Sequence, residues 1–275
     1  LRYMEVNNYL PQRIRVFTND NNEFKPDLLT DAIHVELEGL DKQKVFDYIE
    51  ENKQEELYKY LLLTLCNDMN QYLPDMFTSI KDYKTLLFPD NLLKEDSVLA
   101  KLITDIDEDS WTDQVQIIGW LYQYYIQMPK DELIHAKKQY RNDDIPFVTQ
   151  LFTPDWIVRY MVDNSLGKYY LERHPDSIVK HELKYLLPDE IKAINENQDI
   201  TDYKLLDNAM GSGHILVYAF ELFMKMYIEQ GYSKRDAAQK IIENNLFGLE
   251  IDKRAFQLAY FSIMMKGREY DRRFL

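Results

Sequence analysis

The residues with the most chemical content lie in one run, Asp207-Asn208-Ala209-Met210-Gly211-Ser212-Gly213-His214. A short apolar stretch, Tyr203-Lys204-Leu205-Leu206, leads into the acid, two glycines follow, and helix-forming residues begin at His214. A strand that ends in a carboxylate and turns through residues without Cβ atoms lets a ligand lie against bare backbone beside a negative charge. Two ligand classes use such an arrangement. Dinucleotides want a third glycine three residues after the second, where this chain has Leu216, and a pyrophosphate prefers no neighbouring carboxylate. S-adenosylmethionine carries a cationic sulfonium and an ammonium group, which an acid suits. The next apolar run, Leu246-Phe247-Gly248-Leu249-Glu250-Ile251-Asp252, also ends in acids. Glu250 there is placed to accept hydrogen bonds from both hydroxyls of a ribose, and Ile251 to cover one face of an adenine.

Other reactive side chains carry less. His174 and His181 stand in a polar stretch without Cys or clustered carboxylates at ligand spacing, so no metal site is expected. His214 follows the glycine turn and is expected to contact a cofactor or to pack, without a catalytic role. The single cysteine, Cys66, sits in the apolar run Leu61–Cys66 and reads as a small buried thiol; with one cysteine there is no disulfide framework. Trp120, Tyr122, Tyr124 and Tyr125 could stack bases, but no Lys or Arg interleaves with them, and their helical spacing reads as core.

These residues need elements to position them. Only eight glycines and nine prolines occur in 275 residues, and 45% of the chain is apolar, which favours a largely helical, well-packed protein over a turn-rich β fold. The formal charge of −14 excludes a basic nucleic-acid grip formed by this chain alone. The polar opening Leu1–Asn8 is no secretory signal, and no apolar run approaches a membrane span, so a cytoplasmic protein is expected. Residues 1 to about 35 show no period and read as an irregular arm. Helices are expected from Asp41, through Leu57–Leu65, over Ser97–Ile106 and over Ser110–Gln127. Thr153-Pro154-Asp155 reads as a helix start with Thr153 as cap and Pro154 at the first position. Strand Tyr203–Asp207, helix His214–Gln230, a helix capped by Ser233, strand Leu246–Asp252 and helix Arg254–Lys266 then follow. The expected architecture is mainly α with a partial α/β portion: a helical N-terminal domain, residues 1–145, followed over 146–275 by the start of an open, Rossmann-like sheet that binds ligand at the carboxyl ends of its strands.

The glycine run resembles the Asp-Pro-Ala-Cys-Gly-Ser-Gly cofactor loop of γ-type N6-adenine DNA methyltransferases, with Asn208 in place of Pro and Met210 in place of Cys. Phe152-Thr153-Pro154 resembles their upstream Tyr-Thr-Pro segment, and Gly248-Leu249-Glu250-Ile251-Asp252 their ribose-binding acid. Longer stretches, Arg2–Pro11, Gln150–Pro154, Val162–Gly167 and Gly211–Leu216, are similar to the PglX methyltransferases of BREX phage-defence systems. The resemblance implies transfer of a methyl group from S-adenosylmethionine to the exocyclic amine of adenine in duplex DNA after base flipping. It places Thr153 and Pro154 at the border of the cofactor, Asp207, Ala209, Gly211 and Gly213 around its methionine portion, and Glu250 with Ile251 at its ribose and adenine. The family's catalytic Asn/Asp-Pro-Pro-Tyr segment has no counterpart, since no Pro-Pro pair occurs here. The chain is therefore expected to be an inactive N-terminal fragment, with catalysis and DNA contacts in regions outside it. The alternative is a non-catalytic S-adenosylmethionine-binding or assembly module that docks other defence proteins.

Overall fold

The computed structural model describes residues 1–78, 88–112, 114–136, 139–150, 153–196 and 198–274. The chain divides into two compact units, Leu1–Gln114 and Val115–Leu275, a division that falls ahead of the change of pattern read at residues 145–146.

The first unit is helical: α1 (Arg2–Val6), α2 (Asp27–Thr30), α3 (Lys42–Glu50), α4 (Gln54–Asp68) and α5 (Val98–Thr104). Asp41 caps α3 by accepting from the Gln43 and Lys44 N–H groups, and Ser97 caps α5 through Ala100 N–H, so both starts fall where the cap residues put them. Leu57, Tyr58, Leu61, Leu62 and Leu65 bury one side of α4, while Cys66 beside them is only half-buried. The first 35 residues are more ordered than their lack of period suggests, because a buried acid organises them. Glu5 accepts from Arg2 Nη1, from Thr18 Oγ1 at 2.9 Å, and from the Val16 and Phe17 N–H groups at 2.5 and 2.8 Å.

The second unit begins with α6 (Ile117–His135), which starts later and runs further than the expected Ser110–Gln127 helix and carries Pro129 inside it. After α7 (Ile145–Thr149), α8 (Asp155–Val162) continues through a π-helical turn, Asp163–Gly167, into α9 (Lys168–Arg173). The start of α8 corrects the reading of Thr153 as cap. Pro154 is itself the cap, with an extended ψ of 145° and its carbonyl accepting from Ile157 and Val158, and no side chain caps the helix. Two three-residue strands, β1 (Leu205–Asp207) and β2 (Leu246–Gly248), pair in parallel with Leu205 opposite Leu246 and Asp207 opposite Gly248. Between them lie α10 (His214–Glu229) and α11 (Lys234–Lys240), which is capped by Ser233 and continues into a π-helical turn, Ile241–Asn245; α12 (Lys253–Tyr270) follows β2.

Helix α10 is apolar nearly all round and forms the centre of this unit, with Leu222, Phe223, Met226 and Tyr227 buried. Leu205 and Leu246 turn one face of the sheet toward Leu216, Met210 and Ala259, while Leu206 and Phe247 on the other face are exposed. The strands are shorter than the expected Tyr203–Asp207 and Leu246–Asp252, because past Asp207 the backbone bonds pass into the turn. Fully buried Asn245 anchors the entry to β2: Tyr227 Oη donates to its Oδ1, and its Nδ2 donates to the Ile200 and Tyr203 carbonyls, each at 2.8 Å. Replacing Asn245 with Ala strands all three partners, so N245A should lower the unfolding free energy by about 3 kcal/mol. Urea denaturation checks this, and a loss below about 1 kcal/mol would remove the network from the account of how β2 is held.

Candidate functional site

The glycine turn lies between the ends of the two strands. Leu249 N–H donates to the Asp207 carbonyl at 2.9 Å, Met210 N–H to the Leu249 carbonyl at 3.1 Å, and Gly213 N–H to the Met210 carbonyl at 2.8 Å. Gly211 and Gly213 both have left-handed backbone, φ 54° and 87°. They differ in surroundings. A Cβ on Gly211 would enter open space, whereas one on Gly213 would sit 3.0 Å from the Ala259 Cβ and 3.1 Å from its Cα, so Gly213 lets α10 start directly against α12. Met210 is accommodated by Gly248, since a Cβ there would collide with the methionine sulfur.

Both sequence-predicted acids reach this turn. Asp207 Oδ1 accepts the Ala209 N–H at 3.2 Å; burial pushes its carboxyl above the usual range, the Ala209 bond opposes this, and the charge of Glu250 adds to it. Glu250 Oε2 accepts the Gly211 N–H at 2.7 Å and its Oε1 the Asp252 N–H at 2.9 Å. Ile251 beside it is 79% exposed, a free apolar side chain next to the carboxylate. Burial lowers the pKa of His214 at the start of α10, and the charge of Asp155 at the start of α8 opposes this. Leu151 and Phe152 of the Thr-Pro segment lie outside the described residues.

Three contributors were not read from the sequence. Asp252 caps α12 through the Arg254 N–H, accepts from Gln150 Nε2 at 2.7 Å, and accepts a short hydrogen bond from Tyr122 Oη. Burial raises the Asp252 pKa, but these donors outweigh it and hold the carboxyl below its ordinary value. Tyr122 and Gln150 thereby fasten α6 and the start of the Thr-Pro segment to the end of β2. Gly119 adds to these three, since a Cβ there would stand 2.7 Å from Ser212 Oγ and 2.8 Å from His214 Nε2, so α6 lies against the turn. A glycine inside an apolar helical run was the available signal. The reading of the nearby aromatics as core is corrected: Trp120, Tyr124 and Tyr125 are 42%, 78% and 63% exposed, and only Tyr122 turns inward, to Asp252.

The donor set fits S-adenosylmethionine. A half-buried carboxylate faces the turn, each Glu250 oxygen retains a lone pair beyond its backbone bond, Gly211 leaves open space, and Ser212 Oγ is buried with no hydrogen-bond partner among the described residues. Among the described residues, no three or more His, Cys, Asp or Glu side chains are grouped to hold a metal ion, and no helix is long and apolar enough to cross a membrane.

Two outcomes follow from the turn. G211A should cost about 1 kcal/mol from backbone strain alone, and G213A about 2–4 kcal/mol because its methyl group also meets α12; chemical denaturation of both variants gives the order, and a reversed order would contradict the packing. Because the folded-state pKa of Asp207 is raised, its contribution to stability is fully present at low pH and lost as pH rises through that value. D207N should therefore raise the thermal unfolding midpoint at pH 7 and leave it nearly unchanged in acid, which paired melting curves at the two pH values would show.

No protein-family model matches the chain. The adenine-specific methyltransferase PglX of Lacticaseibacillus casei (strain Zhang) is 42% identical over 99% of this chain and 25% of its own length. The adenine-specific methyltransferase BrxX of Escherichia coli O9:H4 (strain HS) is 40% identical over all of this chain and 24% of its own length. A putative type II restriction enzyme and methyltransferase of Methanocaldococcus jannaschii, RM.MjaORFECS2P, is 24% identical over 61% of the chain. The chain spans about a quarter of the length of PglX and BrxX. Along its whole length it is thus a homologue of one quarter of the PglX and BrxX adenine-specific methyltransferases, in agreement with the likeness carried by its glycine turn and strand-end acids.

Proposed function

We propose that this chain is the S-adenosylmethionine-binding portion of an adenine-specific DNA methyltransferase of phage defence, acting in the cytoplasm. The observation that carries the reading is the bond between Gly211 N–H and Glu250 Oε2, which ties the glycine turn that follows the half-buried Asp207 to the second strand-end acid. In this reading β1, α10 and β2 are the start of a Rossmann-like sheet, with ligand at its carboxyl edge. Asp207 attracts the cationic methionine end, the Ala209–Gly213 backbone lies against it without intervening Cβ atoms at the glycines, Glu250 accepts the ribose hydroxyls, Ile251 covers an adenine face, and Thr153 and Pro154 border the site. When bound, S-adenosylmethionine supplies an electrophilic methyl group for the exocyclic amine of adenine. The residues of this chain hold and orient it. The Asn/Asp-Pro-Pro-aromatic segment and the surfaces for duplex DNA belong to other regions of the intact protein, and other defence proteins are its expected partners. The fragment alone is then inactive.

Calorimetric titration of the chain with S-adenosylmethionine, its demethylated product and NAD tests the assignment. Both sulfur ligands should bind and NAD should not, and E250A should weaken binding at least tenfold, as expected for a lost charge-assisted hydrogen bond of about 1.5–3 kcal/mol. Binding of NAD, or wild-type affinity in E250A, would overturn the site. The same titration on the intact protein, followed by adenine methylation of duplex DNA, separates a site that needs further sheet from one that binds no cofactor.

A further inference from the structure

The first unit holds a polar cavity that the cofactor reading does not use. Arg2, Arg13 and Arg15 line a cavity of about 320 Å³ formed by α1 and the turns after it. Arg2 is 5% exposed, and its guanidinium is only partly satisfied: Nη1 binds Glu5, Nη2 stands 3.8 Å from Glu108, and Nε is buried with no hydrogen-bond acceptor among the described residues. A buried N–H without an acceptor carries a desolvation penalty that calls for an explanation. Glu5 cannot supply it, since its two oxygens already accept from four donors.

The backbone around this cavity is also unusual. Of the five non-glycine residues with left-handed backbone among the described residues, three line it: Asn8, Arg13 and Asn22, with φ of 56°, 54° and 58°. Asparagine adopts this conformation readily, but arginine does not, and strain of this kind collects at binding sites. Arg13 lines the cavity, and its guanidinium makes no hydrogen bond or ion pair with any described residue. Arg15 is held by Asp20 at 3.2 Å and by Asn22 at 3.1 Å. Asp20 and Glu108 are the more exposed carboxylates here, at 93% and 41%, and each sits against an arginine where an external anion would sit.

We propose that this cavity binds a phosphoryl group, donated to by Arg2 Nε and the guanidinium groups of Arg13 and Arg15, with Asp20 and Glu108 as internal occupants that the ligand displaces. Three guanidinium forks match the several terminal oxygens of a phosphate better than the two of a carboxylate. The group can come from a free phosphate or nucleotide, or from a nucleic-acid backbone. The net charge of −14 weakens attraction of a duplex, so a mononucleotide is the expected source. The site lies in the first unit and stands or falls independently of the cofactor assignment.

Calorimetric titration of the chain with inorganic phosphate, uridine 5′-monophosphate, uridine and a short DNA duplex tests it; uridine compounds avoid the adenine-reading side of the glycine turn. Phosphate and the monophosphate should bind and uridine should not. R13Q should weaken binding at least tenfold with an unchanged unfolding midpoint, and E108Q should tighten it several-fold by removing a competing carboxylate. Duplex binding with the same Arg13 dependence, without binding of the small phosphates, would assign the phosphoryl group to a nucleic-acid backbone. No binding by any phosphate-bearing probe, equal affinity in R13Q, or weaker binding in E108Q would overturn the proposal.

Discussion

The Gly211 N–H donates to Glu250 Oε2 across the gap between the ends of two parallel strands, and the geometry of the second unit converges on that bond. Two strands of three residues each are too short to hold a register by themselves. Their register is set from outside, by α10 beneath one face and by the buried Asn245 at the entry to β2. Once Asp207 stands opposite Gly248, the turn after β1 and the loop after β2 necessarily meet, and the two carboxylates come to one edge. Bringing them there has an electrostatic consequence, since burial and the neighbouring charge of Glu250 both resist ionisation of Asp207. An acid kept under such tension is poorly placed for stability and well placed to receive a cation.

The same logic operates at the far end of β2. Asp252 is a buried acid that does structural work, capping α12 while Tyr122 and Gln150 donate to its other oxygen. Two neighbouring acids thus divide their tasks by their donors: Glu250 has backbone N–H partners and room beyond them, whereas Asp252 is enclosed by side chains. This arrangement makes α6 part of the second unit and explains why Gly119 has no side chain where it faces Ser212 and His214. It also leaves Trp120, Tyr124 and Tyr125 turned outward on the same helix.

In the first unit a buried Glu5 gathers backbone N–H groups that no regular element pairs, as Asn245 gathers backbone carbonyls at the strand entry. Its partner Arg2 is drawn inside with it, and a guanidinium buried on one side by Glu5 retains donor capacity on the other. Left-handed residues cluster there because the chain must reverse tightly around that buried pair.

Much of the second unit was legible from residue order. Asp207, the two glycines, His214 as a helix start, Ser233 as a cap and Glu250 after a second apolar run all announce themselves locally, because caps, left-handed turns and strand ends are properties of a few adjacent residues. The cap at Asp41 and the start of a helix at Ser97 were legible for the same reason. The extent of α6, the outward aromatics, the order within the first 35 residues and the joining of Tyr122 and Gln150 to Asp252 were not. Each depends on a partner distant along the chain, 130 positions away for Tyr122 and 102 for Gln150, and no local pattern encodes which distant donor an acid will accept. The sequence by itself therefore determined the kinds of element and the acids at their ends. Only the tertiary structure decided that those acids share one edge, because the α10 core sets the register of strands too short to set their own.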